Sequence, residues 1–125
     1  MNILALDIGL RRTGVAFCSA DTGVPIALST VFHVSEDELI SQILSLVKDR
    51  DIHTVVCGLP LLPGGEEGSQ CIHVHSVAEA LEDLGIHVSL LDERYSTPTL
   101  SDVDPDAAAA CQLLLTFCDR QKRGS

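Results

Sequence analysis

The chain has 125 residues, which at roughly 100–200 residues per domain allows one domain and no more. Hydrophobic residues make up 46% and charged residues 21%, the composition of a core-forming chain rather than a disordered tail. Eight Lys and Arg against eighteen Asp and Glu leave a net charge of −10, which argues against a polybasic nucleic-acid coat and a peripheral membrane binder.

Ile3 to Asp7 is a short apolar run ending in an acid and reads as a buried strand. Gly9-Leu10-Arg11-Arg12-Thr13-Gly14 supplies a turn, and Val15 to Ser19 a second strand. Asp21-Thr22-Gly23 is a further turn, followed by Ile26 to Val34 as a third strand, so the opening is an antiparallel meander. Ser35-Glu36-Asp37-Glu38 has the S-x-x-E capping pattern. Leu39, Ile40, Ile43, Leu44 and Val47 recur at helical spacing after it, predicting a helix over about 36–50. His53 to Leu59 is apolar and β-branched and predicts a fourth strand, and Pro60 to Gly68 a loop. A second helix is expected over Ser69 to Leu84, stopped by Gly85. Ile86 to Leu91 is the fifth strand, with Asp92-Glu93-Arg94 at its end. Asp104-Pro105-Asp106 opens a last helix with an Asp cap and Pro in the first turn, and its body, Ala107 to Asp119, is mostly apolar.

Strands joined through helices run parallel, so the expected α/β fold is a five-stranded mixed sheet. Its first three strands form an antiparallel meander, the last two are parallel, and helices cover both faces, as in the ribonuclease H-like architecture. The domain spans 1–119, and 120–125 is a short basic tail. No apolar run approaches the ~18 residues of a membrane span. The N-terminus lacks the basic region of a signal peptide. The cysteines (Cys18, Cys57, Cys71, Cys111, Cys118) form no C-x-x-C pair and read as reduced core thiols of a cytoplasmic protein.

Three acids stand where catalytic groups are commonly placed. Asp7 ends the first strand, Glu93 lies just past the last, and Asp106 sits in the first turn of the last helix. Converging carboxylates repel unless a cation joins them, and Mg²⁺ suits such hard oxygen donors, with Mn²⁺ equally acceptable to them. Two such ions about 3.5–4 Å apart would suit phosphodiester hydrolysis. Each acid has a plainer reading. Asp106 reads first as an acid offsetting the helix dipole, and Asp92 and Glu93 as solvated turn residues or a partner for Arg94. By strand alternation only one of Asp92 and Glu93 enters a given face. Asp7 is the hardest to set aside, because a carboxylate closing an apolar strand needs a partner.

The motifs carry a resemblance that spans nearly the whole chain. Leu4-Ala5-Leu6-Asp7-Ile8-Gly9 with Arg12-Thr13-Gly14-Val15-Ala16 resembles the opening of the YqgF, or RuvX-like, family. Gly58-Leu59-Pro60-Leu61 with Gly65 and Gly68 resembles its G-L-P-L loop, and Asp92-Glu93-Arg94-Tyr95-Ser96-Thr97 its D-E-R motif. Asp106 with the following alanines, Leu113-Leu114 and Phe117 is similar to its terminal helix. The resemblance implies a ribonuclease H fold and a metal-dependent nuclease, either maturing the 5′ end of precursor 16S rRNA or resolving Holliday junctions. It makes Asp7, Glu93 and Asp106 the catalytic, metal-binding carboxylates, choosing Glu93 over Asp92. The chain departs from the family in a short stretch from Pro98 to Val103 before the last helix. It has Gly64 in place of the loop aspartate, and Cys71, His73 and His75 where relatives are often basic. These departures bear on substrate grip rather than on the acids.

Arg11, Arg12 and Arg94 are the candidate phosphate contacts, since guanidinium matches phosphate geometry. The alternative leaves Arg94 paired to a neighbouring acid and the other two simply exposed. So few cations imply weak, salt-dependent binding. Aromatics are 3% of the chain and Trp is absent, which disfavours a single-strand stacking platform and favours structured nucleic acid. A resolvase would also require two sites on one junction, hence a homodimer. Two further readings stand beside the nuclease. Asp7, Gly9 and Gly14 resemble the phosphate loop of actin-like ATPases, which use two such domains where this length holds one. The acidic balance also suits a catalytically weak module binding a protein partner in ribosome assembly or transcription.

Overall fold

Alternation along the first strand sets the layering. In β1 (Ile3–Ile8), Leu4, Leu6 and Ile8 join one buried cluster, while Ile3 and Ala5 join another on the opposite face. A strand buried on both faces needs a layer on each. The computed structural model describes residues 2–19, 22–61, 69–94 and 110–118, with Pro60, Leu61, Ser69, Gln70 and Asp92 to Arg94 described as backbone. It contains β2 (Arg12–Cys18), β3 (Pro25–Ala27), β4 (Val31–Phe32), α1 (Glu36–Asp49), β5 (Thr54–Leu61), α2 (Ser69–Asp83) and β6 (Val88–Arg94). A third helix, α3, covers 110–118.

The sheet order is β3-β2-β1-β5-β6, with β4 also paired to β2. β1 runs antiparallel to β2, and β2 antiparallel to β3 and β4. β5 is parallel to both β1 and β6. One face carries α1 and α2 through Leu39, Ile43, Cys71, Val74, Val77 and Leu81, packed on Leu4, Leu6, Val15, Val55 and Cys57. The other carries α3 through Ala110, Leu113, Leu114 and Phe117, packed on Ile3, Ala5, Ala16, Val56 and Leu91. Each fully buried Leu or Ile of these layers contributes about 1.5–3 kcal/mol. The mixed sheet with helices on both faces is thus the architecture expected.

Helix ends follow local chemistry. The Ser35 hydroxyl accepts the Glu38 N–H at 3.2 Å, capping α1. At the end of α2, the Ile86 N–H donates to the Leu81 carbonyl and the Gly85 N–H to that of Glu82, with Gly85 at φ +88°. That is the Schellman closure, and glycine supplies its left-handed residue without strain.

Four expectations are corrected. The single third strand over Ile26 to Val34 is two short strands. Ala27 pairs with Ala16 and Val31 with Thr13, so Ser29 and Thr30 together stand against Gly14. This is a β-bulge, one extra residue on the outer strand. β2 starts at Arg12, not Val15, because Arg12 and Thr13 find partners in Phe32 and Val31. Pro60 and Leu61 belong to β5 rather than to a loop. Proline is tolerated there because the ladder to β1 ends at Cys57, leaving that side of Pro60 with no N–H to supply. β6 correspondingly runs on through Asp92, Glu93 and Arg94, paired with Leu59, Pro60 and Leu61, so Glu93 lies within a strand and not beyond it. Residues 62–68, the first part of the expected last helix and the tail lie outside the described residues.

Candidate active site

Because β1, β5 and β6 are parallel, their C-terminal ends reach one edge of the sheet. In open α/β sheets that edge is where ligands bind. Asp7 stands there near the end of β1, half-buried. By alternation it shares the face of Ile3 and Ala5, the α3 side. Its partner across the ladder is Gly14, which adds no side chain beside it. Glu93 is in β6 at the same edge, opposite Pro60 and two residues beyond Leu91, which belongs to the α3-side core. β5 lies between β1 and β6. Asp106 lies outside the described residues, so Asp7 is the one acid of the three with a described side chain.

Arg11 and Arg12 are both exposed where the chain turns from β1 into β2, four and five positions after Asp7. The turn is tight, since a Cβ on Gly9 would run into the Arg12 carbonyl oxygen. Leu10, 70% exposed, stands at the same turn. Arg94 is the last residue of β6, opposite Leu61.

His33, inside the expected third strand, belongs to no sequence motif and is not among the candidate site residues. It is 3% exposed and shares a 2.9 Å hydrogen bond between Nε2 and the Thr13 hydroxyl. Its backbone N–H donates to the Arg11 carbonyl at 2.9 Å. Burial first, and then His73, lower its pKa below the ordinary histidine value, with Glu38 opposing. No local signal in the sequence marks it, because its orientation depends on the bulge. One extra residue shifts the alternation, turning Val31 and His33 inward and leaving Phe32 and Val34 exposed. The neighbouring His73 is partly buried, with Nδ1 3.9 Å from Glu36, while His75 is exposed.

The family model for RuvX, described as Holliday junction resolvase, matches residues 1–120. The chain belongs to the RuvX family. It is 41% identical over 96 residues to a proposed pre-16S rRNA nuclease of Chloroflexus aurantiacus, a match covering 76% of this chain and 63% of that one. A relative of the same description from Roseiflexus is 30% identical over 134 residues, covering 96% and 95%. The RuvX chain thus spans just under two thirds of the length of the first of these relatives. Thermus thermophilus RuvC superposes with a TM-score of 0.71 at 11% identity, covering 99% of this chain and 97% of RuvC. The same RuvC in complex with a Holliday junction substrate gives 0.69 at 12% identity, with 99% and 96% covered. These likenesses show the ribonuclease H-like fold.

Within this RuvX fold an open groove lies away from these acids. It measures about 680 Å³ and lies between the bulged outer strand and α1, bordered by Leu28, Thr30, Phe32, Gln42, Leu46 and Arg50. None of the three candidate acids lines it. Among the described residues no three His, Cys, Asp or Glu side chains gather as a metal centre. None of their helices is long and apolar enough to cross a membrane. Cys18, Cys57 and Cys71 are buried and Cys111 and Cys118 half-buried, none of them in a disulfide.

Proposed function

We propose that this RuvX chain is a metal-dependent endonuclease that hydrolyses phosphodiester bonds in structured nucleic acid, first of all at the 5′ end of precursor 16S rRNA. The observation that carries this reading is a half-buried carboxylate, Asp7, at the C-terminal edge of a central strand with glycine opposite it. Relatives sharing up to 41% identity bear the rRNA-nuclease description.

Asp7, Glu93 and Asp106 are the residues that would hold Mg²⁺ or Mn²⁺. Their donors are all carboxylate oxygens, the set those ions prefer, and the half-buried Asp7 gains from a cationic partner. A bound divalent ion would supply Lewis acidity at the phosphate and a more acidic water. Arg11 and Arg12, exposed beside Asp7, fit backbone phosphates, and Arg94 is proposed for the same task from its place after Glu93. Phosphate contacts of this kind position the substrate and carry no base preference. Residues 1–119 would act as one domain with 120–125 as a basic tail, in the cytoplasm.

A second reading, resolution of four-way DNA junctions by a homodimer, is favoured by the family's own description. The deciding experiment offers a precursor rRNA fragment and a four-way junction side by side, at low salt with Mg²⁺ or Mn²⁺, to wild type and Asp7→Asn. Cleavage by wild type alone supports the nuclease, and the preferred substrate chooses between the readings. A folded, metal-supplied wild type that cuts neither would overturn both and favour an acidic module that binds a protein partner.

A further inference from the structure

We propose that His33 is a positioning residue for the turn that carries Arg11 and Arg12, acting through its hydrogen bond to Thr13. This rests on the reading of that turn as a phosphate contact. His33 follows β4 and reaches the turn at two points. Its backbone N–H holds the Arg11 carbonyl, and its Nε2 holds the Thr13 hydroxyl, each at 2.9 Å. The two bonds bracket Arg12 from either side. Thr13 in turn lies between Arg12 and Gly14, the residue opposite Asp7, so the bracket reaches the register of the candidate carboxylate.

The chemistry of the ring argues that packing alone does not explain it. Thr13 is fully buried and His33 nearly so, yet His33 Nδ1 has no hydrogen-bond partner among the described residues. A leucine would fill such a space without burying an unpaired nitrogen, which carries an energetic penalty. The position is polar because the other nitrogen fixes Thr13. The bulge at Ser29 and Thr30 is what brings it there, by shifting the outer strand one residue so that position 33 turns inward. Bulges are frequent beside functional sites for this reason, since they re-aim a side chain.

The test uses the full chain and whichever of the rRNA fragment or the four-way junction it cleaves, with KM, kcat and the Kd for that substrate measured separately. His33→Leu and Thr13→Val each raise KM and Kd about fivefold, the scale of one neutral hydrogen bond, with kcat within twofold of wild type. His33→Gln, which keeps a polar atom near the Nε2 position, restores both constants. Thr13→Val also decides the matter should His33→Leu fold poorly. Unchanged KM and Kd in Thr13→Val, alongside a raised KM in Arg12→Ala, would overturn the positioning role and leave the phosphate contact standing. An Arg12→Ala variant with wild-type KM would remove the phosphate contact itself, and the positioning role with it.

Discussion

Gly14 lies directly opposite Asp7 across the β1–β2 ladder. On its other side it stands against the two residues of the bulge, Ser29 and Thr30. A side chain at position 14 would share the face of Asp7, with its Cβ about 4.5–5.5 Å from that of the acid. Gly14→Val therefore crowds the carboxylate directly. The expected result is a loss in kcat/KM of about a hundredfold, the scale of a roughly 1 Å misplacement of a reacting group. Gly14→Ala loses less. Cleavage by Gly14→Val at the wild-type rate would show that the space beside Asp7 is not used.

Much of this was legible from the residues. The two-sided burial of β1 follows from the apolar run Ile3 to Leu6, and α1 from its cap and heptad-like spacing. Gly85 marked the end of α2 within a residue. What escaped was non-local. Nothing around Ser29 and Thr30 announces a bulge, which exists only as a mismatch between two strands in register. Pro60 reads locally as a strand breaker and is overruled because one of its flanks carries no ladder. Once β5 extends to Leu61, β6 has a partner through Arg94 and Glu93 becomes a strand residue. The buried bond between His33 and Thr13 joins positions whose neighbourhood depends on that same register. The candidate acids were legible from motif resemblance and Asp7 from its strand, whereas periodicity alone left Asp106 as a helix-dipole residue.

Asp51 ends α1 in the left-handed region, at φ +51°, where glycine is the natural occupant. Its N–H donates to the Lys48 carbonyl and that of Ile52 to the Val47 carbonyl, the same closure Gly85 makes for α2. Asp51→Gly keeps these backbone bonds and removes the steric penalty, partly offset by added freedom in the unfolded chain. A net gain of about 0.5–1 kcal/mol is expected, read as a rise in Tm of roughly 2–5 °C. Gly85→Ala, at φ +88°, moves Tm the other way. A lower Tm in Asp51→Gly would mean the aspartate side chain contributes more than its backbone strain costs.

Cys57 sits fully buried in β5, and burial pushes its thiol from 9.0 up to about 12. In the unfolded chain the thiol ionises near its ordinary value, so stability contributed by the protonated form is intact below pH 9 and is lost as pH rises towards 12. The folded protein also withholds the thiolate from reagents. Iodoacetamide at pH 8.5, read by peptide mass spectrometry, should label Cys111 and Cys118 ahead of Cys57. Burial raises Cys111 as well, so its labelling is slow but measurable. Labelling of Cys57 at the rate of Cys118 would contradict the packing of β5 beneath α2.

His33 contributes to the acid side of the stability profile. Its pKa in the folded protein is lowered by burial and by His73 on α2, against the opposing pull of Glu38 on α1. Glu36 stands beyond His73, and Arg11 and Arg12 lie at the turn above. Above pH 6.5 the ring is neutral in both states and contributes no pH dependence. Below it the unfolded chain takes up the proton first, so the unfolded state binds more protons and stability falls as pH drops from 6.5 towards the folded value. Urea unfolding at pH 7.5 and pH 5 measures this as the difference between the two free energies. His33→Gln cannot titrate, so its loss between the two pH values is expected to be smaller than that of wild type, the carboxylates being common to both. An equal loss in the two proteins would mean that His33 accepts its proton in the folded state as readily as in the unfolded chain.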